Sequence, residues 1–285
     1  MTTDRYNAAL FSARVPSFLS AIGRPVQPLV FAHRGGSALG PENTIAAFDL
    51  GLAAGADGLE FDVHLSADGV AVVHHDVILD RCTDSTGALA ARTAAELAAV
   101  DAGCRFGADV GFPWRGRGVG VPTLENVLAR YRDCPLIIEI KSGTVATARA
   151  VVDAVRRADA IARVCVGSFS LEALQVVRTI EPAIATSAAR VEAQLALYRS
   201  RVGLGLGRVP YRAFQVPERA GRLKVVSPRL IRAAHARNIA FHVWTVNERA
   251  DMWRLLDWGV DGLISDRPDL AVRVRDEWAG RKAEM

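Results

Sequence analysis

The feature of this sequence that most constrains its fold is the regular alternation of short apolar runs with helical patterns. Eight runs have the branched and aromatic residues of β-strands and are bounded by turn residues. In chain order they are PLVFAH, DGLEFDV, PLIIEIK, RVCVGSF, AIATSA, RAFQVP, IAFHVWTV and DGLIS. Repeated βα units build a parallel sheet, and eight such units can close into a barrel. The pattern therefore predicts an α/β fold of the TIM (β/α)8 barrel type.

The alternative fold is a doubly wound open sheet, which usually has about five to seven strands and often a GxGxxG turn. The run GLGLG at residues 203–207 imitates that turn only superficially, and we predict a loop there. A length of 285 residues suits one large barrel domain. We place the barrel at residues 29–272, between an N-terminal extension at 1–28 and a C-terminal tail at 273–285.

One segment, residues 77–131, interrupts the alternation. It is rich in Thr, Gly and Arg, and only TAAELAAV and PTLENVLARY within it have helical patterns. We therefore predict a small insertion after the second strand. Directly before it, the stretch EFDVHLSADGVAVVHHD has an Asp-Gly pair between alternating apolar runs, which predicts a β-hairpin that turns at residues 67–69.

The composition narrows the class of protein. Lys and Arg total 35 against 31 Asp and Glu, a mild excess without a dense basic run, which favours an anionic ligand weakly and argues against nucleic acid. The four cysteines lack metal-site or disulfide spacings, so we expect reduced thiols. The start of the chain lacks the pattern of a signal peptide, and no segment reaches the roughly 18 apolar residues of a membrane helix. We expect a cytoplasmic enzyme with a small-molecule substrate.

Ionisable residues collect where the predicted strands end. Barrel enzymes place their reacting groups at the carboxyl ends of the strands. The residues at these ends are His33 and Arg34 on the first strand, Glu60 and Asp62 on the second, His75 after its hairpin partner, and Glu139 and Lys141 on the third. Alternate residues of a strand share a face, so Glu60 and Asp62 point to one side, as do Glu139 and Lys141. We expect all of them to face one cavity.

The carboxylates Glu60, Asp62 and Glu139 form a candidate metal site. Crowded carboxylates repel one another, and burial raises their pKa values unless a cation holds them ionised. Because the set offers only oxygen ligands, it favours Mg²⁺ or Ca²⁺ over zinc. Glu42, in the loop after the first strand, could be a fourth ligand or a partner that holds a ligand in place.

The alternative interpretation of these acids is a network without metal, neutralised by Arg34 and Lys141. A phosphate ligand accounts for both cations as well as the metal, because a guanidinium binds two phosphate oxygens and an ammonium a third. The combination of acids and cations therefore favours a divalent metal beside a bound phosphate.

The histidines complete the candidate site. His33 and His75 lie on different strands and titrate near neutral pH, so they can act as general acid and general base across one P–O bond. His74 is out of phase with His75 and is expected to face away from the cavity. His64 is in phase with Asp62, and we expect it to have a structural or positioning role.

The stretch from His33 to Gly87 resembles the signature region of the glycerophosphodiester phosphodiesterase family. The motifs that carry the resemblance are the HRG turn, PENT, GAD-x-x-E-x-D, the DG hairpin and HHD-x-x-L-x-R-x-T, followed by TLENVL, IIEIK, VWTVN and DGLISDRP. The similarity covers residues 29–272. It implies a (β/α)8 barrel with a small insertion after the second strand.

The resemblance also implies an activity and roles for single residues. Such enzymes use a divalent metal to hydrolyse a glycerophosphodiester, such as glycerophosphocholine or glycerophosphoethanolamine, to an alcohol and sn-glycerol 3-phosphate. Carried over by position, the resemblance implies that Glu60, Asp62 and Glu139 are the metal ligands, with Glu42 close to the metal. It implies that His33 and His75 are the acid-base pair. It also implies that Arg34, Lys141 and Trp244 contact the substrate. For Trp244 the alternative is a packing role at the rim of the barrel.

Two departures from the family pattern leave the alcohol group open. At residues 81–87, RCTDSTG replaces the more threonine-rich form of this loop that is commoner in the family. The basic stretch ERAGRLKVVS follows the sixth strand, where loops meet the alcohol group of the substrate.

The nearest alternative function is the same chemistry on lipids, as in lysophospholipase D and sphingomyelinase D. The insertion favours it only weakly, since Phe106, Phe112 and Trp114 among arginines could make a weak membrane-surface contact. A barrel that has lost catalysis is the other alternative, and the intact set of acids and histidines argues against it.

Overall fold

The structure, a computed structural model, describes residues 27–284. The predicted N-terminal extension therefore lies almost wholly outside the described residues. The strands are β1 Leu29–His33, β2 Gly58–Leu65, β3 Ala71–Val73, β4 Leu136–Ile140, β5 Val164–Gly167, β6 Ala185–Thr186, β7 Ala213–Pro217, β8 Arg219–Ala220, β9 Leu223–Lys224, β10 Ala240–Trp244 and β11 Gly262–Ser265. The helices are α1 Ile45–Ala53, α2 Ala94–Ala99, α3 Leu124–Arg130, α4 Val145–Arg157, α5 Leu171–Ile180, α6 Arg190–Arg201, α7 Pro228–His235, α8 Arg249–Trp258 and α9 Pro268–Ala283.

Eight parallel strands form the barrel, in the order β6, β5, β4, β2, β1, β11, β10 and β7. The first and last strands of this order are joined by a parallel bridge between Ser187 and Ala213. The backbone N–H of Ala188 donates to the Ala213 carbonyl across the same seam at 2.9 Å. Each of the eight predicted strands is present, so the predicted TIM barrel is confirmed.

The lower part of the barrel interior is closed by apolar side chains. The inward-facing cluster consists of Phe31, Ile137, Cys165, Ala185, Ala213, Ala240 and Ile264. Two glycines leave room for aromatic rings, because a Cβ atom at Gly58 would lie 2.8 Å from the Phe31 ring and one at Gly262 would lie 2.8 Å from the His242 ring. This packed floor limits access to the upper end of the barrel, where the strands finish.

The helices cover the outside of the barrel and bury the other face of each strand. Phe48 of α1 packs against Phe61 of β2 with ring centroids 5.5 Å apart, and Phe214 of β7 packs against Phe241 of β10 at 5.3 Å. Helix starts carry the expected caps: the hydroxyl of Thr44 accepts from the N–H of Ala47 at the start of α1. Within residues 27–284, none of the helices is both long and apolar enough to cross a bilayer.

The predicted hairpin and insertion are both present. β2 and β3 pair antiparallel, and Gly69 in the turn adopts a positive φ of 77°, as the Asp-Gly signal predicts. The segment after β3 carries α2 and α3 and has its own small core, formed by Val72, Leu79, Leu89, Leu97, Val100, Ala102 and Val121. The aromatic residues Phe106, Phe112 and Trp114 are half-buried, and the Arg115 guanidinium stacks 3.8 Å over the Phe112 ring.

Helices α6 and α9 and the two strands of the β8–β9 hairpin, within the basic loop after β7, were not predicted from the sequence. The boundary drawn at residue 272 falls inside α9, which packs against β1 and α8. Residues 203–207 have no helix or strand, in agreement with the predicted loop.

Candidate active site

The predicted residues of the first three barrel strands meet at the carboxyl ends of those strands. β1 and β2 pair so that His33 lies beside Glu60, and β2 and β4 pair so that Asp62 lies beside Glu139. These residues and Lys141 line one cavity. The parallel register therefore brings together side chains that are more than one hundred residues apart in the chain.

Glu60, Asp62 and Glu139 form a compact group of carboxylates. One oxygen from each lies within 4.8 Å of the other two. Burial raises the pKa of Glu60 to about 8, and the negative charges of Asp62 and Glu139 add to that rise. Burial and the Asp62 charge raise the pKa of Glu139 as well. A crowded carboxylate group in which burial disfavours the ionised forms of Glu60 and Glu139 fits a hard divalent cation, which would favour those ionised forms.

Two cations lie against this group. The Lys141 ammonium is 3.3 Å from an oxygen of Asp62 and 3.3 Å from an oxygen of Glu139. The Arg34 guanidinium lies 3.4 Å from an oxygen of Asp62. The backbone N–H of Arg34 donates to the Glu60 carboxylate at 3.2 Å. Arg34 adopts a φ of 50°, a left-handed conformation that is costly for a residue with a side chain and that turns both groups toward the acids.

Glu42 lies outside the three-carboxylate group and pairs with arginines. It accepts from Arg34 at 2.9 Å and from two nitrogens of Arg81 at 2.7 Å each. Although burial opposes ionisation, the hydrogen bonds and charges of the two arginines lower the pKa of Glu42 to about 2. Glu42 is therefore placed to hold the Arg34 guanidinium at the edge of the cavity.

Both candidate acid-base histidines are oriented by carboxylates. Nδ1 of His33 lies 2.6 Å from Asp266, and Nδ1 of His75 lies 2.5 Å from Asp76. Since Nδ1 of each ring is engaged, Nε2 is the nitrogen available for proton transfer. Burial lowers the pKa of His33, but the charges of Glu60 and Asp266 outweigh it and leave that pKa raised. Burial lowers the pKa of His75.

The two remaining histidines of this region have different surroundings. His74 is buried and its Nε2 lies 3.3 Å from the Ile78 carbonyl, so it faces away from the cavity as its phase predicts. His64 is also buried, and its Nε2 lies 2.9 Å from the carbonyl of His75. His64 thus supports the backbone of a candidate catalytic residue, in line with the positioning role expected for it.

The carboxylates that contact Nδ1 of the two histidines were not among the predicted site residues. Asp266 follows β11 and also accepts from Ser37 at 2.5 Å and from Asn247 at 2.6 Å. Although burial opposes ionisation, the hydrogen bond and charge of His33 lower the pKa of Asp266 to about 2. Their positions in the family motifs could have pointed to a role, because Asp266, Asn247 and Asp76 lie within DGLISDRP, VWTVN and HHD, respectively.

The cavity continues from the acids to the opposite side of the barrel mouth, and its volume is about 590 Å³. Trp244 lies on its wall and meets the Phe169 ring edge-on with centroids 6.1 Å apart. Residues of α6 and of the β8–β9 hairpin also line the cavity, and we call the part that they line the side branch. This side branch has mostly apolar walls, formed by Ala188, Ala193, Leu197, Val216, Pro217, Leu223 and Val225.

An eight-stranded parallel barrel with acids, histidines and cations gathered at one mouth defines a (β/α)8-barrel enzyme. The model of the glycerophosphoryl diester phosphodiesterase family matches residues 33–270. That range is most of the sequence, and the chain belongs to this family.

Relatives and solved structures agree with this assignment. The chain is 32% identical over 260 residues to a glycerophosphodiester phosphodiesterase of Caldanaerobacter subterraneus, with 87% of this chain and 98% of the relative covered. It is 31% identical to one of Bacillus subtilis, with 88% and 87% covered. The crystal structure of a glycerophosphodiester phosphodiesterase from Agrobacterium tumefaciens superposes with a TM-score of 0.70 at 29% identity, covering 87% of this chain and 99% of that one. An Oleispira antarctica phosphodiesterase, solved in complex with the product sn-glycerol-3-phosphate, has a TM-score of 0.70 at 25% identity, with 88% and 97% covered.

Proposed function

We propose that this enzyme hydrolyses glycerophosphodiesters to an alcohol and sn-glycerol 3-phosphate. The observation that carries the proposal is the convergence of three carboxylates, two cations and two carboxylate-bound histidines at one end of a single cavity. The product complex of the Oleispira antarctica phosphodiesterase supports the same chemistry for this chain.

Glu60, Asp62 and Glu139 would hold a divalent cation, and their oxygen-only donor set favours Mg²⁺ or Ca²⁺. When bound, such a cation stabilises the negative charge that builds on the phosphoryl oxygens. Lys141 is held between Asp62 and Glu139 and is placed to bind a phosphate oxygen.

Arg34 is the second phosphate contact in this proposal. Its guanidinium has one side against Asp62 and the other against Glu42, so its direction is fixed before substrate arrives. Glu42 acts through Arg34 in this arrangement, and a place near the metal remains a prediction for it.

His33 and His75 would carry the two proton transfers. One imidazole takes the proton of the nucleophile, and the other gives a proton to the departing alkoxide. Asp266 and Asp76 hold the proton on Nδ1 of each ring, so the base accepts a proton on Nε2 of a neutral imidazole and the acid donates the Nε2 proton of an imidazolium. Either water or the neighbouring glycerol 2-hydroxyl can be the nucleophile, and phosphorus NMR distinguishes them because only the hydroxyl route forms a cyclic phosphate.

The alcohol group would enter the side branch beyond Trp244. The Trp244 ring offers a face to a cationic headgroup such as choline, and the apolar walls beyond it exclude water. Glycerophosphocholine and glycerophosphoethanolamine are therefore the substrates to test first. A cytoplasmic location stays a prediction from the sequence.

The test is an assay of the purified chain against a panel of glycerophosphodiesters and lysophospholipids, in EDTA and with added Mg²⁺, Ca²⁺ or Mn²⁺. Glycerol-3-phosphate dehydrogenase reports the product. We expect glycerol 3-phosphate to be released only with a divalent metal. Activity that persists unchanged in EDTA would contradict the metal site, and release of choline from lysophospholipids alone would replace the substrate class with that of lysophospholipase D.

A further inference from the structure

Helix α6 has apolar side chains on its solvent side. Its inner side is buried through Ala196 and Leu197. The opposite side carries Val191, Leu195, Tyr198 and, directly after the helix, Val202, each of them more than half exposed. Their spacing of three to four residues places them in one stripe along the helix. A contiguous exposed apolar stripe of this kind marks an interaction surface.

The stripe lies in the most basic part of the chain. Residues 190–232 contain ten lysines and arginines and two acids, whereas the formal net charge of the whole chain is only +4. Both acids are already neutralised by arginines from outside the segment, Glu192 by Arg178 and Glu218 by Arg254. The segment therefore presents a strong excess of positive charge.

Hydrogen bonds bring several of these cations to the end of the stripe. The Arg201 guanidinium donates to the Lys224 carbonyl at 3.0 Å, and the Arg229 guanidinium donates to the Arg201 carbonyl at 3.2 Å. Arg201, Arg229 and Lys224 are exposed, as are Arg208 and the other cations of the segment except Arg199. We call the stripe, together with Arg201, Arg208, Arg222, Lys224 and Arg229, the α6 face.

The α6 face adjoins the mouth of the cavity. Arg190, Ala193, Gln194 and Leu197 of the same helix line the side branch, and Leu223 of the β8–β9 hairpin lines it from the other side and is partly exposed. A surface that covers the α6 face would therefore lie beside the opening through which substrate enters.

We propose that the α6 face docks on an anionic lipid bilayer. An aliphatic and tyrosine stripe flanked by arginines has the chemistry of a helix that lies in the membrane interface, with apolar groups among the acyl chains and cations at the headgroups. A nucleic acid would neutralise the cations but leave the stripe in water. In a two-fold dimer of this chain the face would meet itself, and its positive charges would repel. An anionic bilayer matches both the apolar stripe and the charge.

The test is cosedimentation of the full chain with phosphatidylcholine vesicles, with and without phosphatidylglycerol, in the absence of substrate. We expect binding only to the vesicles with phosphatidylglycerol, and we expect it to weaken as salt is added. Leu195→Glu, which removes an apolar contact and adds a repelled charge, is expected to weaken binding at least about tenfold. The double variant Arg208→Glu with Arg222→Glu is expected to have a similar effect.

Val110→Glu is the matched control, since Val110 is also an exposed aliphatic residue but lies in the insertion. It should bind vesicles as the wild type does, and Leu195→Glu should keep the wild-type melting temperature and the wild-type kcat/KM on a soluble glycerophosphodiester. Absence of binding by the wild type would overturn the proposal, as would equal losses in the Leu195 and Val110 variants. A wild-type dimer that Leu195→Glu dissociates, without vesicle binding, would show that the face binds a second copy instead.

Discussion

At the scale of single residues, the site consists of pairs in which one group orients another. Each histidine at the cavity has a carboxylate on Nδ1, and the Arg34 guanidinium lies between Asp62 and Glu42. Preorganised groups of this kind contribute to catalysis because they need not reorient as charge develops in the transition state. Changes to the orienting residues should therefore lower kcat while leaving substrate binding largely intact.

The roles of His33 and His75 can be separated with an activated leaving group. We expect His33→Ala and His75→Ala each to lower kcat about 10² to 10⁴-fold on glycerophosphoethanolamine. With a 4-nitrophenyl ester of glycerol phosphate, the departing phenolate needs no proton, so the variant that lacks the general acid should recover most of its activity. The variant that lacks the base should not. Recovery of both variants, or of neither, would contradict the assignment of one acid and one base.

Asp266 offers a test of orientation, because it contacts the His33 ring but is placed away from the reacting atoms. Asp266→Asn keeps the shape of the side chain and removes the charge that fixes the protonated Nδ1. We expect kcat to fall at least about 100-fold with little change in KM. Ser37→Ala is the control, since it removes another partner of Asp266 and leaves the contact with His33. An equal rise in KM in the Asp266 variant would instead indicate a role in binding.

At the scale of elements, the strands were predictable and some helices were not. The eight barrel strands have sharp apolar runs, and all eight were located from sequence. α6 was missed because Leu195 and Tyr198 are apolar on its outer side while Ala196 and Leu197 are apolar on its inner side, which removes the usual amphipathic pattern. The cations of the α6 face are scattered singly along the chain, so they form a cluster only after folding.

The same distinction applies to the site. Residues on one strand or on neighbouring strands, such as Glu60, Asp62 and Glu139, follow from alternation and from the parallel order. Partners that reach the site from distant loops cannot be predicted from alternation or strand order. Asp266 meets His33 across 233 residues of sequence, and neither periodicity nor spacing predicts that contact. The pairing of Glu42 with two arginines also depends on loop geometry that the sequence pattern does not determine.

Helix α1 makes a close contact with β1 and with the loop after it, which carries Arg34. A Cβ atom at Gly51 would lie 2.4 Å from the Gly35 carbonyl oxygen and 2.7 Å from the Ala32 Cβ. Gly51→Ala should therefore push α1 away from β1, lower the free energy of unfolding by about 1 to 3 kcal/mol and reduce kcat. Urea denaturation and the coupled assay measure the two effects.

The control for Gly51 is Gly280 in α9, where a Cβ atom would meet nothing within 4 Å. Both glycines lie in helices, so the substitution changes helix propensity in the same direction at each position. Gly280→Ala should raise stability by up to about 1 kcal/mol and leave kcat unchanged. If both variants were stabilised, the close contact at Gly51 would not be a constraint on the fold.

At the scale of the whole molecule, the barrel divides into a packed lower half and a charged upper half. The floor built on Phe31, Ile137 and Ile264 excludes water from below, while the acids, histidines and cations face the cavity above. Because water is excluded from one side, the local dielectric constant is lower and the electrostatic interactions at the mouth are stronger. The stability of the barrel should consequently depend on any group in the floor that can become charged.

His242 of β10 is such a group. Its ring is 2% exposed and lies 5.3 Å from the Phe31 ring, measured between centroids. Burial lowers the pKa of His242 from 6.5 to about 4, and the Asp261 charge offsets this only in part. The folded protein therefore keeps the ring neutral while the unfolded chain takes up a proton. The stability that results is fully present above pH 6.5 and is lost as the pH falls from 6.5 toward 4.

The comparison of wild type with His242→Gln isolates this contribution, because the other titrating groups are common to both proteins. Between pH 7.5 and pH 5 we expect the wild type to lose about 2 kcal/mol more unfolding free energy than the variant. Urea midpoints at the two pH values measure the difference, and the absolute stability of the variant does not enter it. If the two proteins lost stability in parallel, the buried imidazole would be protonated in the folded barrel at little cost, and the floor would not be the low-dielectric region that its packing indicates.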